Sequence, residues 1–216
     1  MEQFFAGLVG QSESNLRAVI QTAEAIAPCC LWIDEVEKGF SGSKSSGQTD
    51  GGTSSRVFGT FLSWMQDKNA PVFVVATAND VIQLPPELLR KGRWDELFFV
   101  DLPNQAEREA IWEIQIEKHR RTPGDFDLVQ LAKATEGLTG SEIENAFVEA
   151  LYLAFDSGGE AVEKEPTDLD IARVLTEFVP LSKLMAEQIG ALRNWSKGRA
   201  RLATSLVSER GLRKIL

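Results

Sequence analysis

Asp34 and Glu35 stand side by side at the end of the apolar run "CCLWI", residues 29–33. Two adjacent carboxylates at a strand end could hold Mg²⁺ through its water shell and deprotonate a water attacking a phosphoanhydride. An acidic pair after a strand is more commonly a solvated turn or a helix cap, so the pair alone decides nothing. A second apolar run, "PVFVVATAND", places Asn79 at the corresponding end of a neighbouring strand, where an amide could orient the same water. Arg90 and Arg93 follow, three apart, in "LPPELLRKGRWD". A guanidinium is a planar fork of donors suited to phosphate oxygens, and an arginine finger accelerates phosphoryl transfer about 10³–10⁵-fold. Taken singly, either arginine reads as a surface salt-bridge partner. The ordered set is far more specific than any member.

Such residues need strands to carry them. "SESNLRAVIQTAEAIAP" predicts an amphipathic helix with Leu16, Val19, Ile20 and Ala23 on one face, Ser12 as cap and Pro28 as stop. "CCLWI" then has strand length. Residues 41–54, rich in glycine and serine, read as a mobile loop, and a helix with Phe58, Phe61, Leu62 and Met65 follows. "PVFVVATAND" and "ELFFVDLP" supply two more strands. Apolar strands alternating with amphipathic helices predict a parallel sheet covered on both faces, with ligands at the strands' carboxyl ends. After Pro103 the pattern is helical throughout. Asn104 with Glu107, and Thr139 with Glu142, have the spacing of capping pairs. Thr167 predicts the start of a helix through Ile171, Val174 and Leu175, and "DSGGEAVEKEP" a polar loop before it. The organisation is an α/β part over 1–103 and a smaller helical part over 104–216.

Composition removes several alternatives. The 216 residues carry a net charge of −9, which argues against a nucleic-acid or anionic-membrane binder. A single histidine disfavours a histidine metal site or a Ser-His-Asp triad. Cys29 and Cys30 are adjacent inside an apolar run and read as buried thiols in a reducing compartment. The sequence has neither a membrane span nor a signal-peptide pattern. It reads as soluble and intracellular. Seven basic residues lie between Arg193 and Lys214 against one acidic residue, Glu209. A solvated helical face is the commoner explanation of such a run.

With these residues in view, the chain resembles an AAA ATPase over nearly its whole length. "LWIDEVE" resembles the Walker B segment, "ATAND" the sensor-1 strand, and "LPPELLRKGRWDELFFVDLPN" the second region of homology. "GLTGSEIENAFVEAL" resembles the lid turn and helix that close over adenine and ribose, and "GLVGQSESNLR" the first pore loop. Within the family the wording is most similar to the cyanobacterial and algal-plastid members. The resemblance implies a P-loop NTPase core with a small helical lid, ATP and Mg²⁺ as cofactors, and ATP hydrolysis that remodels a macromolecular partner. It also implies self-association into a ring, a hexamer by family, in the cytoplasm or plastid stroma. By position, Asp34 becomes the Mg²⁺-associated carboxylate, Glu35 the catalytic base and Asn79 sensor 1. Arg90 and Arg93 become fingers reaching a neighbour's nucleotide. Gly137 and Gly140 let the lid backbone approach adenine, and Arg56 matches a recurrent arginine near the subunit interface.

The sequence departs from the family in two places. No G-x-x-x-x-G-K-[ST] pattern occurs; "GFSGSKSS" puts Ser43, not glycine, before Lys44 and comes after Walker B. Lys44 therefore reads as an exposed loop residue. The family's P-loop lies upstream of Met1, so the core is expected to be an incomplete one, lacking its first strand, P-loop and second strand. Exposed strand edges, poor stability and weak ATP binding follow as expectations for this chain alone. A rival is a non-hydrolysing subunit that lends Arg90 and Arg93 to a full-length homologue. The pore loop has Leu8 where translocases carry an aromatic, with Phe4 and Phe5 reading as core residues, so threading of a protein substrate is the weaker inference.

Overall fold

The structure, a computed structural model, describes residues 11–40, 51–90, 92–157 and 165–204. The pore-loop stretch, Lys44 and most of the 41–54 loop lie outside them, as does most of "DSGGEAVEKEP". The chain divides into two compact units, Met1–Glu96 and Leu97–Leu216.

The first unit is built on two strands. Helix α1 (Gln11–Ala25) leads to β1 (Cys29–Ile33), the short α2 (Val36–Phe40), the long α3 (Gly51–Asp67) and β2 (Val72–Ala76). Ser12, expected as the cap, falls within α1, whose described extent begins at Gln11. Residues 51–54, expected in the loop, likewise belong to α3. The two strands pair in parallel, with Cys29 opposite Val72 and Ile33 opposite Ala76, so both chains leave the sheet at the same end. Cys29, Leu31, Ile33, Val74 and Ala76 pack with buried Val72 against Ile20, Ala23, Val57, Phe61 and Leu62 of the two long helices. The Trp64 indole N–H donates to Glu24 at 2.8 Å and ties α3 to α1.

The other side of the sheet differs from expectation. Cys30 pairs with Phe73 and Trp32 with Val75 on the outer face, where Trp32 is 61% and Phe73 68% exposed. Strands that are apolar on both faces signal burial on both. Among the described residues only one face is covered, and Cys30, expected to be buried, is exposed.

The second unit holds β3 (Phe98–Phe99), α4 (Gln105–Lys118), a 3-10 turn at Pro123–Asp125, α5 (Leu128–Ala134) and α6 (Gly140–Ser157). Then follow α7 (Asp168–Glu177), α8 (Leu181–Leu184), α9 (Ala186–Ser196) and β4 (Arg201–Leu202). The capping signals hold at all three helix starts. Asn104 and Glu107 exchange side-chain and backbone bonds, as do Thr167 and Asp170, and Glu142 accepts from the Thr139 N–H at 2.7 Å. Each such pair satisfies backbone donors that a helix start leaves open. The core is Trp112, Ile116, Ile143, Ala146, Phe147, Ala150 and Ile171, all fully buried. Phe147 meets Trp112 and Phe126 edge-on, a favoured aromatic arrangement.

Two details here go beyond the sequence. The third strand shrinks to two residues and pairs in parallel with β4. The described part of the basic segment is accordingly not one helical face: from Arg193 to Arg201 it leaves α9, turns and enters β4, while Arg210, Arg213 and Lys214 lie outside the described residues. Arg193 grips Asp101 through Nε and Nη2 at 2.8–2.9 Å, and this hydrogen-bonded carboxylate raises the guanidinium's pKa further. The buried Arg108 is spent on structure, donating to the carbonyls of Ala132 and Pro103 at 2.7 Å each.

Candidate functional site

The parallel pairing of β1 and β2 brings two loops together where the strands end. Thr77, just beyond β2, continues the ladder: its N–H donates to Ile33 O and its carbonyl accepts from Val36 N–H, both at 2.9 Å. Its hydroxyl then bridges the two carboxylate residues. It accepts from the Glu35 N–H at 3.0 Å and donates to Asp34 Oδ1. Held this way, Glu35 sits at φ 50°, a left-handed conformation that a non-glycine residue adopts at a cost of about 1–2 kcal/mol. Such outliers gather at functional sites because the surroundings over-determine them.

Glu35 faces its partners from two directions. The Asn79 side-chain amide donates to Oε1 at 3.2 Å, and the Lys38 ammonium lies 2.5 Å from Oε2. That hydrogen bond, reinforced by the nearby charges of Glu35, Glu37 and Asp34, holds the Lys38 pKa above its ordinary 10.5. Asp34 is exposed, and its Oδ2 makes no hydrogen bond among the described residues. An open carboxylate oxygen of this kind fits a hard, strongly hydrated cation that keeps most of its own water. No cluster of three or more ligating side chains occurs among the described residues, so a protein cage for a metal is absent there.

The structure therefore gathers Asp34, Glu35 and Asn79, residues up to 45 positions apart, into one hydrogen-bonded group. It adds two members that the sequence reading passed over. Thr77 sits inside "ATAND", two residues before Asn79, with no role assigned to it from the sequence. Glu37 is the third carboxylate of "DEVE"; it is buried, 4% exposed, and its Oε1 accepts from the Asn79 N–H at 3.0 Å. A one-on, one-off alternation of Glu35 and Glu37 is the only signal the sequence offers for it.

The remaining predicted residues lie apart from this group. Arg90 is exposed and Arg93 half-buried, with Arg93 Nη1 enclosed and lacking a hydrogen-bond partner. No ion pair joins either arginine to Asp34 or Glu35 among the described residues. Arg56 is exposed on the first turns of α3. Gly137 and Gly140 belong to the second unit. Gly137 has φ 82°, and a Cβ there would come 2.9 Å from Ser182 Oγ, so any side chain at this position is strained and must displace Ser182. Gly140 opens α6, and a Cβ there would make only ordinary contact, 3.8 Å from Ile111 Cδ1. Gly137 lines an open cleft of about 620 Å³ together with Asn104, Arg108, Lys133, Ser182 and Arg193.

Comparison with known proteins decides the family. The model of the ATPase family associated with various cellular activities matches residues 1–102, and that of the AAA+ lid domain matches residues 125–170. This chain belongs to the AAA family. The AAA domain-containing protein ycf46 of Pyropia yezoensis is 48% identical over 206 residues, and that of Trieres chinensis 47% over 205. Each alignment covers 94% of this chain but 40% of the relative, so the AAA module described here spans well under half of the curated proteins it matches. Among solved structures, the FIGL-1 AAA domain in complex with ADP aligns over 91% of this chain and 66% of its own, with a TM-score of 0.70 and 20% identity. A second FIGL-1 AAA domain structure gives a TM-score of 0.73 at 18% identity over 91% of this chain and 65% of its own. These likenesses establish an AAA fold. No helix among the described residues is long and apolar enough to cross a membrane.

Proposed function

We propose that this chain is the hydrolytic part of an AAA ATPase that couples ATP turnover to the remodelling of a macromolecular partner. The supporting observation is the bond between the Asn79 amide and Glu35 Oε1, which joins the two strand ends at one point. In this reading Asp34 would hold Mg²⁺ through its water shell, and the ion would supply charge neutralisation for the phosphates. Glu35 takes the proton from the attacking water while the Asn79 amide, exposed and already aimed at Glu35, orients it. Lys38 occupies the Glu35 oxygen that this water needs. Its ammonium is exposed on a flexible stem and yields to the water when nucleotide is in place. Arg90 and Arg93, unpaired with their own carboxylates, reach the nucleotide of a neighbour in a self-associated ring, with Arg56 near the same interface. Gly137 and Gly140 bring the lid backbone to adenine. A division near residue 103 separates the α/β core from the lid, and the protein works in the cytoplasm or plastid stroma.

The phosphate grip is not supplied by these 216 residues, which hold no P-loop pattern. The experiment therefore uses two preparations: the chain joined behind the preceding region of a full-length relative, and the chain mixed with that relative intact. Turnover in the joined form that disappears in Glu35→Gln, with ATP binding retained, is the expected result. Turnover indifferent to Glu35→Gln would end the hydrolytic reading. The rival reading is a subunit that only lends Arg90 and Arg93. That rival predicts stimulation of the intact relative that vanishes on Arg93→Ala and persists in Glu35→Gln.

A further inference from the structure

Glu37 has no part in the chemistry outlined above, yet it is the least expected residue at the site. It lies on the first turn of α2, where a solvated carboxylate would complement the helix start. Instead it is buried, 4% exposed. Oε1 accepts from the Asn79 N–H at 3.0 Å, while Oε2 is enclosed without any hydrogen-bond partner. Removing a carboxylate from water with one oxygen unpaired is costly. A methionine of similar size would fill the space with no such penalty, so packing alone does not account for a glutamate here.

What the glutamate does that an apolar side chain cannot is accept one backbone proton. The proton belongs to Asn79, whose own side chain is exposed and points its amide at Glu35. The Asn79 residue is thus held at its backbone by Glu37 and used at its side chain beside Glu35. Both glutamates come from the same five-residue stretch after β1, so the loop that supplies the base also fixes the group that orients the water.

We propose that Glu37 is a positioning residue for ATP hydrolysis: its buried carboxylate anchors the Asn79 backbone and thereby sets where the Asn79 amide meets the attacking water. The proposal rests on the hydrolytic reading for its consequence, but not for the anchor itself.

Two variants separate the roles. Glu37→Met fills the volume and removes the acceptor; Glu37→Gln keeps the acceptor. The first readout is hydrogen exchange at the Asn79 amide in the 216-residue chain, with thermal unfolding as the check on folding. Glu37→Met should unfold no earlier than wild type yet lose about tenfold or more of the protection at Asn79, and Glu37→Gln should restore it. Unchanged protection in Glu37→Met overturns the anchor. The second readout is turnover in the chain joined behind a relative's preceding region. Glu37→Met should lower kcat by up to about 10²-fold with KM for ATP little changed, since displacement of a positioned group by an ångström has effects of that size. Glu37→Gln should recover it. Lost protection with wild-type kcat overturns the positioning role. Absence of turnover in the wild-type joined form instead sinks the hydrolytic reading, and the exchange measurement still decides the anchor.

Discussion

Replacing Thr77 by valine removes one hydroxyl and almost nothing else, since the two side chains have nearly the same shape. Two hydrogen bonds go with it. The bond from the Glu35 N–H, 3.0 Å, is neutral and half-buried, and the donor is left without a partner. The bond to Asp34 Oδ1 is charge-assisted, but Asp34 is exposed, so water replaces most of it. A neutral bond contributes about 0.5–1.5 kcal/mol, a charged one about 1.5–3, and an orphaned buried donor costs about 1–3. Weighted for exposure, the loss is about 1.5–3 kcal/mol, roughly a 10- to 100-fold change in the folding equilibrium constant. The Thr77 backbone bonds to Ile33 and Val36 survive, so the sheet stays paired. The strained residue is affected most: Glu35 at φ 50° loses the acceptor that holds its N–H, so its amide should exchange faster. Urea unfolding of the chain with hydrogen exchange at Glu35 measures both effects, and Thr77→Ser, which keeps the hydroxyl, should behave as wild type. A Thr77→Val chain within 0.5 kcal/mol of wild type, with the Glu35 amide still protected, would show that the hydroxyl is not the clasp described here.

The same reasoning gives two further expectations. Gly137→Ala should destabilise the second unit by about 1–2 kcal/mol from the left-handed backbone alone, plus the clash with Ser182 Oγ. In the double variant Gly137→Ala/Ser182→Ala the clash part should return and the backbone part remain; equal losses in single and double variants would show that the contact contributes nothing. Lys38 should titrate above 10.5 when followed by NMR at its ε-carbon, and Glu35→Gln should bring it down. Because the folded pKa is the raised one, the pairing is complete below 10.5 and lost only as pH rises through the raised value, leaving neutral pH untouched. Titration of Lys38 at or below 10.5 would mean the bond to Glu35 does not form in solution.

Local signals determined much of this protein. The helices of the second unit begin where Asn104, Thr139 and Thr167 say they should, because a capping pair acts within one turn and needs nothing distant. The strands bearing Asp34 and Asn79 were legible as apolar runs with polar ends, and parallel pairing places both ends together. The short β3 misled for the opposite reason. Its apolar run promised a strand of the central sheet, but strand length and partner are non-local properties. Only the fold reveals that Phe98–Phe99 pairs with Arg201–Leu202, and that Arg193, on a basic stretch that read as a solvated face, closes on Asp101.

The site divides along the same line. Residue types at strand ends nominated Asp34, Glu35 and Asn79 as candidates, since chemistry limits which side chains can handle phosphate and water, and the strand pairing brings these three together. Thr77 was silent and Glu37 nearly so, because a threonine and a third carboxylate are common on any surface and composition marks neither. What distinguishes them is burial and direction: a hydroxyl between two loops, and a carboxylate turned inward to hold a backbone N–H 42 residues away. The sequence by itself determined which groups could do the chemistry. Only the tertiary structure decided which groups hold them in place, because a hydrogen bond between strand ends exists only once the strands have paired.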